Sequence, residues 1–245
     1  NRIYLGPGRT DKVLVYDLKG NYLPDEVIRF GEIVHKSQIW VDYDKKNVVV
    51  VTLPFSANVN SNFAISKNVC WVQNREGDIV HRIPVNHYGL IGDYSNALVA
   101  RRNVDAISFS ISEVPMLRTR PDTLYHYDAV KNIITPCFTI DHVVSENQSA
   151  CTVLYETSRS YWAQVTLYPN NLSSSVSSVR LPAFNVCVSK KDGNVRRIDR
   201  FTDPLLGLSH LFLMMNNGYI CISYDPLELM DALDKVLTQT DLESD

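Results

Sequence analysis

The six histidines are the side chains of this sequence best suited to hold a metal ion or to transfer a proton, and they are widely scattered. They are His35, His81, His87, His126, His142 and His210. Imidazole nitrogens bind zinc and titrate close to neutral pH. His210 begins a strongly apolar strand pattern and is the best single candidate for a functional histidine, although a hydrogen-bonded structural histidine is the simpler explanation.

A second candidate is the predicted hairpin tip at residues 155–162, where glutamate, arginine and tyrosine come together. Arginine and tyrosine are enriched where proteins recognise partners. A comparable tip at residues 101–102 holds two arginines and would share the same rim. Charges at such tips also keep a protein soluble, so a binding role and a solvating role both remain open. The candidate binding residues are Arg101, Arg102, Glu156, Arg159, Tyr161 and His210.

Motifs of known catalytic chemistry are absent from the sequence. It contains no H-E-x-x-H, no G-x-S-x-G, no phosphate-binding loop and no calcium-binding EF-hand loop. The cysteines are widely spaced without a C-x-x-C pair, which favours core thiols over a zinc site and leaves a disulfide open. They are Cys70, Cys137, Cys151, Cys187 and Cys221.

The charge of the chain gives no support to nucleic-acid binding, because the formal net charge is −3. Its basic pairs are isolated and are interpreted as solvated strand ends and turns: Lys190-Lys191, Arg101-Arg102 and Arg196-Arg197. No apolar run approaches the roughly 20 residues that span a bilayer. The chain begins at Asn1 instead of methionine, from which we expect a processed or truncated N-terminus.

One short sequence pattern, called the repeated phrase below, recurs along the chain. We expect it to be the element that positions these candidates. Each copy is a β-rich run, a polar turn and a second β-rich run, at residues 13–23, 69–80, 124–134 and 186–195. The copies stand roughly 55–60 residues apart, a period typical of repeat arrays and propellers. More uniformly apolar hairpins alternate with them, as at residues 39–51, and predict the inner strands of each repeat.

These hairpins predict an all-β fold made of four-stranded antiparallel blades in a β-propeller, with residues 1–245 as a single domain. The blade units would cover residues 37–86, 94–142 and 148–202. Residues 208–224 and 1–34 would complete one shared closing blade, so that the ring has no free edges. Residues 226–238 follow a helical apolar pattern, with Asp225 as N-cap, and predict a short terminal helix.

Several phrases resemble a known family. Residues 13–23 resemble the hairpin of NHL-type six-bladed propellers, and residues 122–128, 136–141 and 155–162 resemble bacterial six-bladed β-propeller proteins of unknown function. The resemblance implies six blades, whereas we count about four, so the alternative to a closed ring of about four blades is that this chain is only part of a larger ring. It also implies an exported, often lipid-anchored protein located outside the cytoplasm, and it implies no catalytic motif.

We therefore expect a non-enzymatic binding or scaffold propeller that recognises a protein, peptide or glycan through loops at one mouth of the ring. No cofactor and no nucleic-acid partner is expected, and membrane contact would come only through a lipid anchor outside this sequence. The alternative is an NHL-like hydrolase or lyase with calcium or zinc on the ring axis, held by His210 and carboxylates of other strands. A purely structural unit within a larger chain is a third hypothesis.

Overall fold

The computed structural model describes residues 2–6, 9–42, 47–58, 65–92, 97–102, 107–112, 121–141, 146–169, 183–210, 214–216 and 219–242. They form β-strands almost throughout, with one α-helix, and the all-β prediction is confirmed at this level. The chain divides into two compact units, Asn1–Val143 and Val144–Asp245. Within the described ranges, no helix is long and apolar enough to cross a membrane.

The first unit is built mainly from antiparallel sheets of consecutive strands. Its strands are β1 (Ile3–Leu5), β2 (Arg9–Tyr16), β3 (Ile28–His35), β4 (Gln38–Asp42), β5 (Asn47–Val51), β6 (Phe55–Asn58), β7 (Asn68–Gln73), β8 (Ile79–Pro84), β9 (Leu90–Gly92), β10 (Ala97–Arg102), β11 (Ile107–Ser112), β12 (Asp122–Asp128) and β13 (Ile133–Ile140). Their sheet orders are β1-β2-β3, β4-β5-β7-β8 and β10-β11-β12-β13, and β6 pairs with β9.

The valine run of β5 explains where the core of this unit lies. Because successive side chains of a strand point to opposite faces, four adjacent valines fit a strand that is covered on both faces. Val48 and Val50 pack with Val13, Ile28 and other residues of the first sheet. Val51 packs in a second apolar cluster that reaches Phe109 of the third sheet.

A buried glutamine joins the first sheet to the second. Gln73 accepts a hydrogen bond from the Trp71 indole at 2.7 Å and donates to the carbonyl oxygens of Arg29 and Asn74. Arg29 N also donates to Arg75 O at 2.8 Å. A buried amide with its hydrogen-bonding groups satisfied fixes how two elements meet, because leaving any one of them unpaired is unfavourable.

The second unit contains one four-stranded sheet, two short hairpins and the helix. Its elements are β14 (Gln148–Glu156), β15 (Ser160–Pro169), β16 (Ala183–Ser189), β17 (Val195–Ile198), β18 (Phe201–Thr202), β19 (Ser209–His210), β20 (Met214–Asn216), β21 (Tyr219–Cys221) and α1 (Pro226–Leu242). The sheet order is β14-β15-β16-β17, with β18 paired to β19 and β20 to β21. Asp225 accepts the N–H of Leu227 at 2.9 Å, which confirms the predicted N-cap.

The turns of the repeated phrase share one backbone feature. Near the end of each turn, one residue has a positive φ: Gly20 (85°), Gly77 (102°), Asn132 (55°) and Gly193 (70°). This left-handed conformation is open mainly to glycine and asparagine, which explains their presence in the repeat. In the first copy, Asp17 Oδ1 accepts the N–H groups of Lys19 at 2.9 Å and Asn21 at 2.8 Å.

Most predicted hairpins are confirmed, and each of the three four-stranded sheets lies within one predicted unit. Their arrangement as blades of one ring, the single domain and the shared closing blade stay predictions. The sequence also predicts turns at residues 44–46 and at Asn103, and both lie outside the described residues. The register between β4 and β5, in which Trp40 lies opposite Val49, follows the predicted pairing.

Two local predictions are wrong in part, and one strand pairing was not predicted. The second strand of the first hairpin is Ile28–His35 and not residues 22–30, because Pro24–Glu26 forms a turn of 3₁₀-helix. The sequence predicts that residues 209–215 pair with residues 218–224, and Met214–Asn216 does pair with Tyr219–Cys221. Ser209–His210, however, pairs with Phe201–Thr202. The parallel pair of Phe55–Asn58 with Leu90–Gly92 was not expected, since parallel neighbours are joined through a distant crossover.

Candidate functional site

The tip of the β14–β15 hairpin brings Glu156 and Tyr161 together. They lie opposite each other in the register of this antiparallel pair. Thr157 closes the turn, because its N–H donates to Ser160 O at 2.9 Å and its Oγ1 accepts the Ser160 N–H at 3.0 Å. Two long strands closed by a hydrogen-bonded turn therefore hold the predicted cluster of residues 155–162 in one geometry.

Lys190, at the end of β16, completes this tip. Its backbone N–H donates to Arg159 O at 2.9 Å. Its ammonium group pairs with Glu156 Oε1 and lies 4.8 Å from the centroid of the Tyr161 ring. Lys190 lies in an exposed turn, as predicted, but its contacts with Glu156 and Tyr161 were not expected. They arise because β15 and β16 pair so that Tyr161 lies opposite Val188.

The Glu156–Lys190 pair is more enclosed than an ordinary surface ion pair. The Glu156 side chain is only 5% exposed and that of Lys190 is 27% exposed. A carboxylate taken this far out of water needs its partner, whereas the partly exposed ammonium still reaches solvent. The cation above the tyrosine ring adds a cation–π contact. We call Glu156, Tyr161 and Lys190 the tip cluster.

The predicted binding residues are only partly brought together. Arg159 joins the tip through its carbonyl oxygen, and its side chain is exposed. Arg101 and Arg102 lie in the first unit on β10, opposite Ser108 and Ile107. The side chains of these two arginines lie outside the described part of the structure, so a rim that they share with the tip cluster stays a prediction.

His210 belongs to a different group of side chains. Its ring lies 4.8 Å from the Tyr224 ring at an interplanar angle of 74°. The Tyr224 hydroxyl donates to Asp203 Oδ2 at 2.8 Å. The Nε2 atom of His210 is buried and has no hydrogen-bond partner among the described residues.

Asp203 owes its position to another turn of the repeated kind. Its Oδ1 accepts the N–H groups of Leu205 and Leu206, each at 2.8 Å, and Gly207 has a φ of 68°. This copy lies at residues 203–208 and was missed, although an aspartate followed four positions later by glycine was a visible signal. The turn joins β18 to β19 and so places His210 beside Tyr224.

Hydrogen bonds shift the pKa values of this group. The backbone N–H of Leu206 and the hydroxyl of Tyr224 lower the pKa of Asp203, with a smaller contribution from His210. Loss of hydration, followed by the hydrogen bond to Asp203, raises the pKa of Tyr224. The Asp203 carboxylate is thus engaged by three donors, so His210 and Asp203 do not by themselves make a metal site. The calcium or zinc alternative stays a prediction.

Cys70, in the apolar core of the first unit, is not an activated thiol. Cys70, Cys137, Cys151 and Cys187 are free, and the prediction of a core thiol is confirmed for Cys70, whereas the other three are only half-buried. Cys221 is not among the described side chains. Burial raises the pKa of Cys70 well above its usual value. A buried thiol that stays protonated behaves as a small apolar side chain.

Comparison with known proteins does not assign a family: no family model, no curated protein and no solved structure matches this chain. The resemblance to bacterial six-bladed propellers therefore stays a prediction.

Proposed function

We propose that this chain is a non-enzymatic binding module of β-propeller architecture that recognises a protein, peptide or glycan with the tip cluster. The recurring four-stranded antiparallel sheets support the scaffold part of this proposal. Rigid sheets that present hairpin tips are a common way to hold a binding surface, because the strands fix what the loops display. The proposed location outside the cytoplasm rests only on the resemblance of the repeated phrase to the exported propeller family.

The observation that carries the proposal is the position of Lys190 between the Glu156 carboxylate and the Tyr161 ring. A lysine in solution loses side-chain entropy when a ligand immobilises it. Here the ion pair and the ring contact already restrict the Lys190 side chain. Binding of a ligand to Lys190 therefore costs less side-chain entropy. The exposed Arg159 and Lys191 beside it favour ligands with carboxylate or other anionic groups.

The test is a glycan and peptide array probed with the full chain and with variants of the tip. Lys190→Gln combined with Glu156→Gln removes both charges and leaves no unpaired buried carboxylate. We expect this double variant to bind the ligands of the wild-type chain at least about tenfold more weakly, as hot-spot residues do. Tyr161→Phe keeps the ring and should retain most of the binding.

Lys19→Gln is the matched control, because Lys19 is an exposed lysine in the turn of the first copy of the repeated phrase. It should bind like the wild-type chain. Thermal melting of every variant separates loss of binding from loss of fold. Equal binding by the folded double variant and the wild-type chain would show that the tip cluster is structural only.

A further inference from the structure

The outermost strand of the second unit's sheet, β17, is exposed and carries an excess of positive charge. Among the described residues it pairs only with β16, so its other edge is open. Val195 is 67% exposed, and Arg196 and Arg197 are exposed beside it. An open strand edge presents backbone N–H and C=O groups that can pair with another extended chain.

The charge around β17 is opposite in sign to that of the whole chain. Residues 190–200 contain five lysines and arginines and two aspartates, a formal charge of +3, whereas the chain carries −3. Two of these cations are neutralised, since Lys190 pairs with Glu156 and Arg197 pairs with Asp199 at 2.8 Å. Lys191, Arg196 and Arg200 have no acidic partner in the described part of the chain.

The cations lie on both faces of the strand. Alternation places Arg196 and Arg197 on opposite faces of β17. Arg197 is held in place by the Phe184 ring, whose centroid lies 4.2 Å from its guanidinium carbon. An extended segment that pairs with this edge would therefore meet the unpaired Arg196 on one face and the Arg197–Asp199 ion pair on the other.

The last strands of the other two four-stranded sheets, β13 and β8, lack this combination. β13 contains Pro136 and no charged residue, and proline within an edge strand discourages further pairing. β8 contains only Arg82 and His81 as basic residues, and the Arg82 carbonyl already accepts a hydrogen bond from Asn132 at 3.1 Å. β17 thus differs from β8 and β13, whereas β10, the first strand of its sheet, also carries two adjacent arginines, Arg101 and Arg102.

We infer that β17 binds an acidic, extended polypeptide segment of a partner protein, which adds to the sheet as a further strand. Backbone pairing would supply affinity, and glutamate or aspartate side chains would contact Arg196 on the strand and Lys191 and Arg200 at its two ends. This inference rests on the proposed binding function and names the class of its ligand. The turn at residues 190–194 connects the tip cluster directly to β17, so the two surfaces are adjacent. The competing explanation is that the arginines only protect the edge from aggregation.

The experiment uses the full chain and a fluorescein-labelled peptide of alternating glutamate and valine, with fluorescence anisotropy as the readout. We expect saturable binding that weakens with added salt and shifts the amide NMR signals of Val195–Ile198. Arg196→Gln combined with Arg200→Gln should weaken binding at least about tenfold. Arg82→Gln, on the outermost strand of another sheet, is the matched control and should leave binding unchanged.

A peptide of the same sequence with alternate backbone nitrogens methylated separates strand pairing from charge attraction. It keeps every carboxylate but cannot complete the hydrogen-bond ladder, so we expect at least about tenfold weaker binding. Equal binding of the methylated peptide, an equal loss in Arg82→Gln, or no binding at all would each overturn the inference. If the array ligands still require the tip cluster in any of these cases, the proposed function stands without an acidic strand partner.

Discussion

Asp203 shows at the scale of single residues how one carboxylate organises a functional candidate. Its two oxygens accept hydrogen bonds from Leu205, Leu206 and Tyr224. These donors favour the charged form and lower the pKa of Asp203 in the folded protein. A carboxyl group with a lowered folded pKa stabilises the fold above its unfolded pKa of about 3.9, and that contribution is lost as the pH falls through the folded value.

Asp203→Asn should therefore lower the melting temperature at neutral pH and should lower it less in acid. The asparagine keeps an oxygen that can accept the turn N–H groups, so the difference reports mainly the lost charge. Thermal melts of both proteins between about pH 7 and pH 3 measure this, because the two curves should converge below about pH 4. Asp11→Asn is the control, since Asp11 is exposed on β2. A constant difference at every pH would assign the effect to geometry and not to charge.

At the scale of elements, the first and second sheets meet at two glycines. A Cβ atom on Gly31 would lie 2.6 Å from Gly77 O and 3.0 Å from Ile79 Cδ1. Gly77 is itself in a left-handed conformation, with a φ of 102°. The backbone of β3 thus lies directly against the turn between β7 and β8, and the hydrogen bonds of Gln73 depend on this approach.

Gly31→Ala should separate the two sheets and lower the free energy of unfolding by about 1–3 kcal/mol, as overpacking does. Gly6→Ala is the matched control, because the nearest atom to its added Cβ is Val13 Cγ2 at 3.8 Å. It should change stability by no more than about 0.5 kcal/mol. Urea unfolding followed by tryptophan fluorescence gives both values, and equal effects of the two substitutions would refute the close approach as a constraint.

The helix shows that an element can be predicted correctly while the burial of its apolar face is not predicted correctly. The sequence predicts one broad apolar face packed on the ring, but among the helix side chains that the structure describes, residues 226–238, only Ala232 is buried, at 5% exposure. Leu227, Met230 and Leu237 are exposed by 73%, 61% and 62%. A helical pattern indicates which side chains share a face, whereas tertiary packing decides which part of that face is covered.

At the scale of the whole molecule, the two compact units and the predicted single ring have different consequences for unfolding. A continuous ring unfolds as one cooperative domain, whereas independent units unfold separately. We expect differential scanning calorimetry to give one transition whose calorimetric and van't Hoff enthalpies agree. Gly31→Ala, which lies in the first unit, should then shift the entire transition. Two transitions, of which this substitution moves only one, would contradict the single ring.

The sequence by itself determined most of the hairpins and their turns. Strand runs, the glycine or asparagine with positive φ and the helix N-cap are local features, so residues 69–80 and 186–195 were assigned correctly without coordinates. The hairpin tip that holds Glu156 and Tyr161 was predicted for the same reason, since both residues belong to one local turn.

Only the tertiary structure decided which distant segments meet. Lys190 reaches Glu156 because β16 pairs with β15. Phe55 lies opposite Leu90 although β7 and β8 separate the two residues along the chain. Long-range contacts of this kind depend on side chains from many elements filling the same space, and no single segment encodes them. The open cationic edge of β17 likewise follows from its place at the end of the sheet, because charge is visible in a sequence but exposure of the backbone is not.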